Sequence, residues 1–87
     1  DYNSAVAFVC MDYNQSALSV LTTLPQTAQR DYMLAIVYAR LGKEQKAVEH
    51  FLQSVEQDYS MRHRGNLDPE VSQLIKKYGL DAHMDTL

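Results

Sequence analysis

The sequence is poor in three features that would point to particular classes of protein. Its one cysteine, Cys10, cannot form an internal disulfide and leaves the redox compartment open. No apolar run approaches the roughly 20 residues that a membrane-spanning helix needs. The eight Lys and Arg residues are outnumbered by eleven Asp and Glu, giving a net charge of -3. A nucleic-acid-binding surface is basic, so we expect neither membrane insertion nor nucleic-acid binding.

What remains is the composition of an ordinary globular domain. The chain has 87 residues, 46% of them hydrophobic and 22% charged. This length suits one small domain that buries about 60% of its unfolded surface. Because the sequence begins at Asp1 rather than at a methionine, we expect it to be part of a longer chain, and a missing signal peptide is then uninformative.

The central stretch, residues 31–51, has the pattern of two helices folded against each other. Residues 32–39 are all apolar or aromatic, which is too wide a patch for a helix with one buried face. Gly42 follows as a C-terminal cap. A second helical pattern then begins, with one apolar face that carries Ala47, Val48, Phe51, Leu52 and Val55.

This hairpin resembles a tetratricopeptide repeat (TPR), whose signature includes Leu-Gly-x-x-Tyr and then Ala-x-x-x-Phe. Leu34-Ala35-x-x-Tyr38 matches the first block with Ala in place of Gly, and Ala47-x-x-x-Phe51 matches the second. Small residues at these places allow two helices to cross closely, and the aromatic rings fill the space beside the crossing. Two positions depart from the family pattern: Asp31 stands where Trp is common, and Tyr59 where Pro is common.

A second copy of the pattern lies upstream, as Ser4-Ala5-x-x-Phe8 and Ala17-x-x-x-Leu21. The offset is the same for both blocks, from Ala5 to Ala35 and from Ala17 to Ala47, an interval of 30 residues. This is shorter than the usual period of about 34, and Pro25 marks where the first hairpin is clipped. The alternative is an unrelated helical bundle that happens to repeat.

The predicted fold is therefore all-α, a TPR-like right-handed array of antiparallel helical hairpins with about five helices. We expect a single domain over 1–87, with repeat one at about 2–25 and repeat two at about 28–58. A loop at 59–67, a capping helix at 68–78 and a frayed tail at 79–87 complete it. The first helix is apolar all round from Ala5 to Met11, as expected of a helix packed on two sides. Asp12 occupies the place of Gly42 and should adopt a left-handed backbone.

The TPR resemblance implies a concave groove, lined by the first helix of each hairpin, that binds a peptide or a helix of a partner protein. The residues that helical spacing assigns to it are Tyr2, Asn3, Val6, Val9 and Cys10 from the first helix, and Gln29, Tyr32, Met33, Ile36 and Arg40 from the third. Tyr32 and Arg40 are typical interface anchors. The chain is then a non-catalytic protein-interaction module. The alternative is a structural end-cap of a longer array, in which this face packs on its own chain or self-associates.

Other candidate sites are weaker. Some TPR domains hold a partner's C-terminal carboxylate with Lys and Asn, but the matching places here hold Tyr2, Val6, Tyr32 and Ile36. The basic segment Arg62, His63 and Arg64 could bind a phosphate or an acidic partner, although such loops are commonly just solvated.

No residue is nominated for catalysis, metal binding or a cofactor. The histidines show no metal-ligand spacing with one another or with Cys10, and Cys10 lies in an apolar run as a packing residue would. A helix-turn-helix nucleic-acid binder is a rival that the acidic balance disfavours. The second hairpin resembles bacterial arrays, some of them in cell-envelope proteins, which leaves the compartment open.

Overall fold

The computed structural model describes residues 1–87, and it confirms the predicted all-α fold. Seven helices form in chain order, with no β-strand: α1 (Tyr2–Cys10), α2 (Asn14–Leu21), α3 (Ala28–Arg40), α4 (Glu44–Gln57), α5 (Ser60–Leu67), α6 (Pro69–Tyr78) and α7 (Leu80–Met84). Five of them lie within predicted helical segments: α1 and α2 within 2–25, α3 and α4 within 28–58, and α6 within 68–78. None of the seven is long and apolar enough to cross a membrane.

Helices α1 and α2 form hairpin one, helices α3 and α4 form hairpin two, and their turns have the same geometry. Asp12 and Gly42, the equivalent turn residues, have φ angles of 61° and 78°, so the predicted left-handed backbone of Asp12 is confirmed. The closing hydrogen bonds are also equal in length, 2.8 Å from Tyr13 N–H to Phe8 O and 2.8 Å from Lys43 N–H to Tyr38 O. The 30-residue interval read from the sequence is therefore a structural repeat.

Small residues mark the helix crossings in both hairpins. Ala5 and Ala17 in hairpin one and Ala35 and Ala47 in hairpin two are completely buried. Helix α3 lies at the centre of the molecule, where it packs against α4, α2, α1 and α6, and every residue from 31 to 38 is buried. The tight crossings explain why a side chain larger than alanine is absent from these four positions.

Helix α1 is less enclosed than the sequence predicts. Ala5 and Val9 are its only buried residues, whereas we expected packing on two sides of the helix. That expectation is wrong for this chain because no element lies against the outer side of α1, which contacts only α2 and α3 closely.

The predicted loop at 59–67 is also wrong, because α5 occupies it. Asp58 Oδ1 begins the helix by accepting hydrogen bonds from the Ser60 backbone N–H at 3.0 Å and the Ser60 hydroxyl at 2.7 Å. Gly65 then lets α5 approach hairpin two closely. A Cβ atom at this position would lie 2.7 Å from the Phe51 ring, closer than real contacts allow. Glycine weakens a helix intrinsically, so the tertiary contact explains both the glycine and the missed prediction.

The predicted tail at 79–87 contains α7, which is a second correction. Gly79 has a φ of 62° and ends α6 in the left-handed conformation that glycine commonly adopts after a helix. The chain then turns into α7, whose Leu80 and Met84 are buried in the core. Two apolar residues at a spacing of four are too weak a signal to identify a five-residue helix from sequence.

Candidate partner-binding groove

The α1 part of the predicted groove is accessible. Tyr2 and Val6 are half-buried, and Asn3 and Cys10 are exposed. These four residues, which we call the α1 flank, lie along one side of the helix because they are spaced by three or four residues. Val9, the fifth predicted residue, is buried. Cys10 does not pack in the core as the sequence suggested, because α1 turns this side to solvent.

The α3 part of the predicted groove is closed. Tyr32, Met33 and Ile36 are buried, and only Gln29, in the first turn of α3, is exposed. A partner therefore cannot contact these three side chains while the rest of the chain stays in place.

Tyr32 shows what closes this face. Its ring packs edge-to-face on Phe51 with centroids 6.2 Å apart, and the Arg64 guanidinium carbon lies 4.4 Å from the ring centroid. The hydroxyl donates to Asp68 Oδ2 at 3.0 Å. Burial and the bond to this carboxylate raise the pKa of Tyr32 well above its ordinary value. The predicted anchor for a partner thus anchors α5 and the start of α6 instead.

Arg40 is also used within the chain. Its Nε and Nη2 atoms donate to the two Glu70 carboxylate oxygens at 2.9 and 2.7 Å, and Nη1 donates to Val9 O at 2.8 Å. The Glu70 hydrogen bond raises the pKa of Arg40 above its ordinary value. This side chain joins the C-terminus of α1 to the first turn of α6. Since the Arg40–Glu70 pair is partly exposed, it contributes at most about 1 kcal/mol and mainly fixes orientation.

A buried carboxylate, Asp31, fixes the other end of α3, where the TPR pattern commonly has Trp. Its side chain is 0% exposed. The four donors around it are Gln57 Nε2 at 2.6 Å, His50 Nδ1 at 3.0 Å, Gln26 Nε2 at 3.1 Å and Arg30 Nη2 at 3.2 Å. Burial alone raises the pKa of Asp31, but these hydrogen bonds outweigh it and hold the pKa below its ordinary value. Asp31 therefore ties the linker before α3 to helix α4.

The basic residues predicted as a secondary site do not converge. Arg62 pairs with Asp81 at 3.3 Å and Asp85 at 2.8 Å, so it holds α7 against α5. Arg64 lies over the Tyr32 ring, and His63 is exposed on α5. An incoming anion would have to compete with the two aspartates for Arg62.

A cleft of about 300 Å³ lies where α6 crosses α3 and α4, lined by Ala39, Arg40, Glu44, Glu70, Gln73, Leu74 and Lys77. Its charges are already paired, since Arg40 binds Glu70 and Lys77 Nζ lies 2.6 Å from Glu44 Oε1. No group of three or more His, Cys, Asp or Glu side chains is placed to hold a metal ion.

Sequence reasoning missed two residues that shape this region. Asp31 was noted only as a departure from the repeat pattern. Two of its hydrogen-bond partners, His50 and Gln57, are polar residues of the following helix, α4. Gly65 follows Ala35 by the same 30-residue interval that separates Ala35 from Ala5. That third small residue was the available signal for a further helix at α5.

No protein-family model matches the chain, and comparison with curated proteins and with solved structures found no significant similarity.

Proposed function

We propose that this chain is a non-catalytic, TPR-like protein-interaction module that binds a peptide or helix of a partner protein along the α1 flank. One observation carries the proposal: the flank places half-buried Tyr2 and Val6 beside exposed Asn3 and Cys10, and none of the four is charged. Interface cores are depleted of charge and enriched in aromatic residues.

Hydrogen bonds at the two ends of α1 favour a rigid binding surface. Arg40 donates to Val9 O and so holds the C-terminus of α1 against α3. At the other end, Asp1 Oδ1 caps α1 by accepting from the Ser4 backbone N–H at 2.8 Å. The cap stabilises the first turn of α1 and the Arg40 bond holds its last turn, so α1 loses little conformational freedom when a partner binds, which favours affinity.

A second candidate function is that of a structural end-cap of a helical array. The observation that favours it is the covering of α3 by α5 and α6 through Tyr32, Arg64 and Asp68, which leaves polar side chains on the outer surface. A repeat array needs such a polar terminal element to remain soluble. In an end-cap, α5 and α6 serve to bury Tyr32, Met33 and Ile36, and no partner protein has to reach these side chains.

The proposal is tested by selecting binders from a displayed library of random peptides and measuring the affinity of an enriched peptide by titration calorimetry. Val6→Glu places a charge in the middle of the flank. We expect it to weaken binding by about tenfold or more, equivalent to about 1.4 kcal/mol. The matched control is Val48→Glu, the same change at a half-buried valine of α4 outside the flank.

Circular dichroism must show that both variants remain helical. A peptide that binds wild type and Val48→Glu but not Val6→Glu would support the module. An enriched peptide that binds Val6→Glu as tightly as wild type would refute the flank as the site. A library without enriched sequences would favour the end-cap.

A further inference from the structure

Helix α7 is the shortest helix of the chain, and it depends on contacts with other elements. It has five residues, Leu80–Met84, and no side chain caps its first turn. An isolated helix shorter than about 12–15 residues is marginal in water, so α7 forms only because other parts of the chain hold it. The strength of those contacts decides whether α7 can also detach.

The apolar contact of α7 is small. Leu80 and Met84 are buried, and their spacing of four places both on one side of the helix. They are only two of the 21 residues that form the hydrophobic core. Among the helices, α6 makes the close contact with α7. Detachment of α7 would therefore uncover one side of α6 and leave the contacts within and between the two hairpins unchanged.

Polar side chains of α5 hold α7 from a second direction. Arg62 Nη2 lies 2.8 Å from Asp85 Oδ1, and its Nε lies 3.3 Å from Asp81 Oδ1. Asn66 Nδ2 donates to the same Asp81 oxygen at 3.3 Å. The side chains of both aspartates are more than half exposed, so water and salt compete with these bonds. Arg62 therefore adds a weak, salt-sensitive attachment to the apolar one.

The joint between α6 and α7 is a single glycine. Gly79 has a φ of 62°, and a Cβ atom there would meet nothing within 4 Å, so no neighbour packs against the joint on that side. Its N–H donates to Lys76 O over a long distance, 3.5 Å. Because glycine has access to a wider range of φ and ψ than other residues, Gly79 can act as a hinge.

The contact between α6 and α7 belongs to a series that runs through the fold. Every second helix packs against the helix that follows it in the chain: α2 against α3, α4 against α5 and α6 against α7. The following helices have 13, eight and five residues. Helix α6 thus presents to α7 a surface of the kind that accepts a longer helix elsewhere in this chain.

We propose that α7 is a hinged lid on α6, which opens about Gly79 as a unit while both hairpins, α5 and α6 stay folded, and that Arg62 holds the lid closed. A segment that buries little apolar surface opens at a lower free-energy cost than the whole domain. Opening exposes an apolar side of α6 that the closed lid hides. The lid therefore controls access to that surface.

This inference does not rest on the proposed function. The lid and the side chains that hold it belong to α5, α6 and α7, whereas the α1 flank belongs to the first helix. The lid can therefore open whether or not a peptide binds to the flank.

Oxidation by hydrogen peroxide measures the opening in the unmodified chain. Peroxide transfers an oxygen atom to an accessible methionine sulfur, and peptide mapping by mass spectrometry gives an initial rate for each methionine. Met84 is 1% exposed and Met33, in α3, is 6% exposed, whereas Met11 is 52% exposed and gives the rate of an accessible methionine. Exposure in the closed structure alone would make Met84 react as slowly as Met33. With an opening lid, we expect Met84 to react at least about tenfold faster than Met33.

Arg62→Gln removes the charge that holds the lid. We expect it to raise the Met84 rate about threefold, because partly exposed ion pairs contribute little, and to leave the Met33 rate unchanged. The control Lys43→Gln removes the same charge at an exposed residue before α4 and should change neither rate. Raising sodium chloride from about 50 mM to about 500 mM should accelerate Met84 oxidation in wild type but not in Arg62→Gln.

Amide hydrogen exchange followed by NMR shows which helices stay folded. With a lid, the Leu74 and Ile75 amides of α6 remain protected while Met84 reacts. Met84 oxidation no faster than that of Met33 would overturn the lid, because α7 would then open only with the whole fold. Exchange of the α6 amides at the rate of opening would overturn α7 as the moving unit. An Arg62→Gln effect that is absent, or equal for Met84 and Met33, would overturn the role of Arg62.

Discussion

Replacing Asp31 with alanine removes an acceptor that four side chains share. His50 and Gln57 approach it from α4, Gln26 from the linker, and Arg30 from α3 itself. The carboxylate is completely buried, so only water that enters the vacated space can replace it as the acceptor. The variant therefore leaves one cation and three polar groups without their partner.

The expected loss follows from how well these donors can be rehydrated. Removing one partner of a buried ion pair costs about 3–5 kcal/mol when the other charge stays buried. Here the Arg30 and His50 side chains are partly exposed, so we expect about 2–3 kcal/mol for Asp31→Ala. For a domain of this size that corresponds to a decrease in melting temperature of about 10–20 °C.

Chemical denaturation followed by circular dichroism measures this loss as a free energy of unfolding. The matched control is Glu56→Ala, which removes an exposed carboxylate of α4 and should change stability by less than about 0.5 kcal/mol. Asp31→Asn keeps the shape but not the charge, and we expect about half the loss of Asp31→Ala.

The pH dependence gives an independent check. Because the folded-state pKa of Asp31 is lowered, the unfolded chain binds more protons as the pH falls through the ordinary aspartate range. The stabilisation is therefore present above about pH 4 and is lost below it. The stability difference between wild type and Asp31→Asn should shrink from pH 5 to pH 3. A loss in Asp31→Ala no larger than in Glu56→Ala, or a difference that is constant with pH, would refute this role of Asp31.

Two further substitutions test the helix contacts. Gly65→Ala should lower the free energy of unfolding by about 1–2 kcal/mol, because the new Cβ would clash with the buried Phe51 ring; in a free helix the same change stabilises, so a gain measured by urea denaturation would show that α5 does not pack there. Asp12→Gly should raise stability by about 0.5–1 kcal/mol by relieving the left-handed backbone at a φ of 61°. An unchanged or lower urea midpoint would mean that the Asp12 hydrogen bond from Asn14 offsets the relief.

The parts of the fold that local sequence determines were predictable. Helices α1 to α4 and α6 follow from apolar spacing, and the turns at Asp12 and Gly42 follow from residues that tolerate a left-handed backbone. The pairing of Ala5 with Ala35 placed the two hairpins in register. The helices and turns depend on residues close together in the chain, and the register depends on a repeat that is visible in the sequence itself, so a single sequence was sufficient.

The parts that depend on distant contacts were not predictable. Helix α5 is stabilised by the fit of Gly65 against Phe51, and the burial of Tyr32 depends on Asp68, which lies 36 residues later. Helical spacing placed Tyr32 and Ile36 on one side of α3, but it could not show that both side chains are buried. The prediction of a loop at 59–67 failed for the same reason as the assignment of the α3 residues to the groove. In both cases contacts between residues far apart in the chain decide the structure.

The most direct test of the interaction module is a map of amide chemical shifts when the library-derived peptide is added to the isotopically labelled chain. The proposal predicts the largest changes at Tyr2, Asn3, Val6 and Cys10, with α5, α6 and α7 unaffected. Changes confined to α5–α7, with α1 silent, would contradict it and place the binding surface at the C-terminal end of the chain.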